Sequence, residues 1–120
     1  MGFKLQKKIK LKMGIKKRSS GIDFKNIAVK NSFEKLKEFD PVLYKSLIRA
    51  FNDLLENAFC GIQIPKRLIP TEYKCNNLWK YNLPDAWRLI YTIKAPNKVE
   101  IISVILEWMN HKEYERKFGY

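Results

Sequence analysis

The chain has 120 residues, 46% of them hydrophobic and 30% charged, enough for one domain with a real core and too little for two. A net charge of +12 points to a polyanionic partner: nucleic acid, an acidic protein or anionic lipid. No apolar run approaches the ~18 residues of a membrane span, lysines interrupt any secretory-type signal, and Gln6 stands where a myristoylation motif needs Ser or Thr.

The leader comes first. Residues 1–18 hold eight cations and no acid, while the remainder carries 16 cations against 12 acids. Phe3, Leu5, Ile9, Leu11, Met13 and Ile15 occupy odd positions with mostly lysine between, a strand period with a cationic face. Three readings fit: an added edge strand, a basic arm that orders on nucleic acid, or a stretch preceding a natural start at Met13. The arm is the favoured expectation. Ser19-Ser20-Gly21 reads as a linker, which makes residues 1–20 a basic extension and 21–120 the domain.

Residues 22–30, IDFKNIAVK, read as a first strand. Ser32 is then the predicted cap of a short helix ending near Phe39. Asp40-Pro41 restarts a helix, with the cap followed by proline in its favoured position. Leu43, Leu47, Phe51, Leu54, Leu55 and Ala58 make an apolar stripe at helical spacing, and Gly61 is its expected terminator. The two segments predict a helical hairpin packed on a sheet. Residues 62–77 read as a loop, with Pro65 and Pro70 bracketing Lys66-Arg67.

Residues 78–94, LWKYNLPDAWRLIYTIK, read as a β-hairpin turning at Pro84-Asp85. Alternation puts Trp79, Tyr81, Leu83, Trp87, Leu89, Tyr91 and Ile93 on a core face. The opposite face carries Lys80, Asn82 and Arg88 near the turn. Cations on an otherwise apolar sheet are costly unless they meet water or a ligand, so this face suggests an anion site. Residues 99–108 are apolar on both faces, as a central strand is. Asn110 and Glu113 then form a predicted capping box for a short helix, HKEYERKF, that puts His111 and Tyr114 on one face. Helices followed by consecutive strands argue for an α+β fold. Cys60 and Cys75 lack metal-site spacing and fit reduced thiols in a cytoplasmic protein.

From about Ile22 onward the chain resembles the RelE/ParE superfamily of type II toxins. The resemblance rests on the helical hairpin, the WRLIYTI strand with its aromatic-Arg-hydrophobic pattern, and a last strand running into a His-x-x-Tyr ending. It implies an antiparallel twisted sheet with the helical hairpin on one face and a short C-terminal helix. It also implies a cytoplasmic toxin that needs no cofactor or metal, cuts mRNA in the ribosomal A site and is held by an acidic antitoxin. Arg88 matches the strand arginine that steadies the scissile phosphate, and Lys80 the first lysine of a Lys-x-Lys pair. Asn82 stands where the second lysine would be. His111 and Tyr114 match the terminal pair, a departure from RelE proper that favours a HigB- or YoeB-like variant. Asn82, Lys112, Arg116, Lys66 and Arg67 are the remaining candidates, for substrate binding. The ParE branch, which instead poisons DNA gyrase, and a structural RNA-binding protein are the alternatives.

The chemistry asks for the same residue types. Metal-free RNA cleavage needs a base for the 2′-hydroxyl, an acid for the 5′-oxygen and cations on the developing charge. Histidine is the side chain suited to either proton step at physiological pH, which makes His111 the candidate for it. Tyr114, ordinarily near 10, needs a lowered pKa to act as a base.

Overall fold

The structure, a computed structural model, describes residues 3–4 and 19–119. Phe3–Lys4 is a two-residue strand, β1, pairing antiparallel with β2, Ser19–Phe24. The arm expected over the rest of the leader lies outside the described residues. The predicted linker Ser19-Ser20-Gly21 is instead the first half of β2, so the folded part begins before residue 21. Three apolar-poor residues form strand here because a neighbouring strand supplies their partners, a tertiary effect that outweighs local preference.

The strand expected over 22–30 stops at Phe24, and helix α1 runs Ile27–Phe39. The Asn26 side chain accepts from the Val29 amide at 3.0 Å, which makes Asn26 the cap and leaves Ser32 inside the helix. Val29, Phe33 and Leu36 then fall at helical spacing on the core side. Helix α2, Pro41–Glu56, starts as predicted, with the Asp40 carboxylate accepting from Leu43 N at 3.1 Å. It buries Leu43, Leu47, Ala50, Phe51, Leu54 and Leu55. Burying each of the larger of these contributes about 1.5–3 kcal/mol. The helix ends at Asn57, before the expected Gly61, because the Asn57 side chain accepts from Phe59 N and starts a separate 3₁₀ turn.

Four strands follow: β3 at Ile62–Gln63, β4 at Trp79–Asn82, β5 at Arg88–Asn97 and β6 at Glu100–Met109. Helix α3, His111–Phe118, closes the fold with the predicted capping box, Asn110 and Glu113 exchanging bonds of 3.1 and 2.9 Å. The sheet order is β1-β2-β6-β5-β4-β3. The sheet is mixed, where an antiparallel one was expected: β2 runs parallel to β6, from Ser19↔Glu100 to Phe24↔Ile105, and the other pairs are antiparallel.

Each face of the sheet is covered differently. Ile22, Phe24, Leu83, Leu89, Tyr91 and Ile105 pack under α1 and α2. On the opposite face Ile90 and Met109 meet Ile64, Leu78 and Tyr114, so α3 and the 62–78 loop form a second, smaller layer. A register shift sets Ile90 against Glu107 but Tyr91 against Ile105, leaving Leu106 as an extra residue in β6. Leu106 joins the second layer, and Glu107 reaches α3 through Lys117.

Tyrosines and one asparagine tie these layers together. The Tyr91 hydroxyl donates to Ala58 O at 2.9 Å, and the Tyr81 hydroxyl donates to Asp53 of α2. A Cβ at Gly61 would strike the Tyr91 hydroxyl and come within 2.6 Å of Lys80 O, so glycine is required there. Because β4 begins only at Trp79, opposite Tyr91, β5 beyond that point keeps β6 along one side but has, among the described residues, no strand on its β4 side. Asn77 substitutes for one: its Oδ1 accepts from Ile93 N at 2.9 Å, its Nδ2 donates to Ile93 O at 3.0 Å, and its own carbonyl accepts from the Thr92 hydroxyl at 2.7 Å.

Replacing Asn77 by Ala strands both polar groups of a half-buried Ile93, and urea denaturation should show a loss of about 1–3 kcal/mol. Tyrosine titration gives a second check. Burial first, then the bond to Asp53, pushes Tyr81 up to about 12, and burial holds Tyr73 and Tyr91 higher still. Their neutral forms therefore stabilise the fold fully below about pH 10, and this is lost as pH rises through the folded values. Absorbance at alkaline pH should show Tyr73, Tyr81 and Tyr91 ionising late, together with unfolding.

Candidate anion site on the sheet face opposite the helices

Arg88 opens β5, in register with Asn82 on one side and Met109 on the other. Alternation turns its side chain away from α1 and α2, beside that of Lys80, which is registered with Ile90 and Ile62. Both cations converge on one ring. Lys80 Nζ lies 4.8 Å from the Tyr114 centroid and Arg88 Cζ 5.7 Å from it. Tyr114 is only 3% exposed, so it forms the floor beneath the cations. Its ring stacks on Phe118 at 4.5 Å, and Phe118 stacks on Tyr73 at 5.9 Å.

The electrostatics of this arrangement favour an anion. Each cation gains about 0.5–2 kcal/mol from the ring face, but two positive charges at one ring repel each other. Arg88 Nη1 donates to Trp87 O at 3.1 Å, while the buried Nε has no acceptor among the described residues. A buried donor left unsatisfied costs about 1–3 kcal/mol. A phosphate met by the guanidinium's terminal N–H groups and by Lys80 relieves the repulsion, and the guanidinium fork suits it.

His111 is the first residue of α3, two positions beyond Met109 and one turn before Tyr114. It is exposed, and its Nε2 lies 2.9 Å from Glu115 Oε1. The sequence reading missed Glu115, although an i,i+4 spacing on a helix marks it. The other candidates are more dispersed. Asn82 is exposed and lines a groove on the helix side with Arg49 and Asp53. Lys112 and Arg116 are exposed on α3, and Lys66 and Arg67 on a 3₁₀ turn. Pro65 and Leu68 around that turn line a cleft of about 90 Å³ with Lys80, Tyr114 and Phe118, which the two loop cations do not line. Lys80, Arg88 and Tyr114 are thus brought together, and His111 is carried on the same helix.

A charged clasp holds α3 in place. Lys117 Nζ lies 2.9 Å from Glu107 Oε2 on β6 and 3.2 Å from Glu72 Oε2 in the loop. Burial works against its charge, but the two carboxylates outweigh this and raise its pKa above the ordinary lysine value. These partners are far apart in the chain, and no spacing in the sequence marks them.

Comparisons with protein-family models, with characterised proteins and with solved structures found no match to the chain.

Lys117→Met keeps the aliphatic stem but leaves Glu107 and Glu72 facing each other. Denaturation midpoints should fall by the equivalent of about 1–3 kcal/mol, with the Tyr114 environment loosening in the near-ultraviolet dichroism.

Proposed function

We propose that the chain is a RelE/ParE-type toxin that cleaves RNA without a metal at a phosphate held by Arg88 and Lys80. The observation that carries the reading is the convergence of the Arg88 guanidinium and Lys80 on the buried Tyr114 ring. The α+β class, the helix pair on one face and the short terminal helix agree with what the resemblance implies, whereas the sheet is mixed where it implies an antiparallel one.

In the proposed reaction the 2′-hydroxyl oxygen attacks the adjacent phosphorus and the bond to the 5′-oxygen breaks. The products are a 2′,3′-cyclic phosphate and a 5′-hydroxyl. Arg88 and Lys80 balance the charge that builds on the non-bridging oxygens. His111 carries the proton transfer. With Nε2–H directed at Glu115, its Nδ1 lone pair accepts the 2′-hydroxyl proton, the departing 5′-oxygen takes a proton from solvent water, and the imidazolium then releases its proton to solvent. Tyr114 is the platform for the cations, a role that fits its burial better than proton transfer does. The substrate is mRNA, with the ribosomal A site as its setting and an acidic antitoxin as the restraining partner.

The test is expression of wild type, Arg88→Ala, Arg88→Lys and His111→Ala in growing cells, with mapping of mRNA ends. The wild type should arrest growth and cut mRNA. Losing His111 or Arg88 should lower cleavage by about 10²–10⁴, and Arg88→Lys should recover little, because an ammonium lacks the two-pronged grip. Growth arrest with intact mRNA moves the reading to the gyrase-directed branch. RNA binding with neither arrest nor cleavage leaves a structural RNA-binding protein.

A further inference from the structure

The second layer covers only part of the sheet face. Beyond α3 lies an open groove of about 730 Å³, whose floor is Ile102, Val104 and Leu106 of β6. Tyr73, Cys75, Asn76 and Asn77 of the loop form one wall. Lys25, Lys74 and Lys94 line it from three different segments, against the single carboxylate of Asp23. All three lysines are exposed, and among the described residues none of them has a salt bridge. The groove is joined to the candidate site by the ring stack Tyr114, Phe118, Tyr73, along which Lys80 lies over the first ring and Lys117 over the last, at 5.1 Å.

We propose that this groove binds a single-stranded segment of the RNA that continues from the phosphate at Arg88. The inference rests on the proposed reaction only for the identity of the RNA. An apolar floor with an aromatic wall suits unpaired bases, whereas a duplex presents phosphates on both sides and no base faces. Lysines spread along the rim suit a backbone that carries a charge at every nucleotide. Such contacts are blind to sequence, so the groove adds affinity and sets strand direction without selecting codons.

The experiment measures binding apart from cleavage. The probe is a fluorescent 2′-O-methyl oligonucleotide of about 12 residues, which lacks the attacking hydroxyl, and its anisotropy is followed over a range of salt with the full chain. The groove variant combines Lys25→Gln, Lys74→Asn and Lys94→Gln; asparagine suits the left-handed backbone of Lys74, φ 48°. The control removes the same charge from the helix layer, as Lys35→Gln, Lys37→Gln and Lys45→Gln. The groove variant should bind at least about tenfold more weakly near 0.1 M salt, and its log–log salt slope should be shallower by about 2, at ~0.7 per lost contact. The control should stay within about twofold of wild type, with thermal melts equal for all three proteins. Equal losses in both variants overturn the proposal, as does unchanged binding in the groove variant, or tighter binding of a duplex or a polyglutamate peptide than of the single strand. Because the probe cannot be cut, a protein without nuclease activity leaves this outcome readable, and a failed groove leaves the nuclease assay untouched.

Discussion

The structure depends on one strand that must be dry on both faces. Strand β6 buries Ile101, Ile102, Ser103, Val104 and Ile105 in succession, and it lies between β2 and β5. A strand apolar on both sides is stable only where each face meets another layer. The long helices α1 and α2 satisfy one side fully. Among the described residues, the other side has the eight residues of α3 and a loop, and this small layer covers the end near Ile90 and Met109. The more thinly covered remainder, where Ile102 and Val104 each keep 8% of their surface exposed, is the floor of the groove. The site and the groove are therefore two consequences of the same shortage of covering structure.

That shortage also explains why cations are tolerated on an apolar sheet face. At the covered end, Lys80 and Arg88 are partly desolvated and meet an aromatic ring, which offsets part of the cost. At the open end, Lys25 and Lys94 remain in water and lose little. Arginine is the better choice at the covered end, since its delocalised charge is more weakly hydrated than an ammonium and stacks on a ring. Lys117 shows the opposite solution: burial of a lysine is tolerated there because two carboxylates meet it directly.

Much of this was legible in the residues. Two-residue alternation placed Lys80 and Arg88 opposite the helix face, the double-sided apolarity of 99–108 marked the central strand, and the Asn110–Glu113 box located α3. Local signals failed where the deciding partner is remote. Ser19-Ser20-Gly21 is strand only because β6 runs beside it, and that pairing also makes the sheet mixed. Ile27-Ala28-Val29 has strand-like composition, yet the Asn26 cap and the Phe33 contacts make it helix. Asn77 looked like loop because a side chain standing in for a strand leaves no period. The burial of Tyr114 was hidden for a related reason: an eight-residue polar helix does not show which ring it turns inward until the surface it docks on is known.

The position of Tyr114 bears on the chemistry more than any other detail. A phenol lying under two cations by its face stabilises their charge through the ring, and this needs no ionisation. In the proposed reaction, proton transfer then falls to a group that water and substrate can reach, and His111 meets that condition, with Glu115 beside one of its nitrogens. On that proposal the division is between a partly buried set that holds charge and an exposed group that moves protons, and α3 supplies a member to each. The Lys117 clasp ties the helix that carries both to β6 and the loop, so the stability of the second layer and the geometry of the site are coupled.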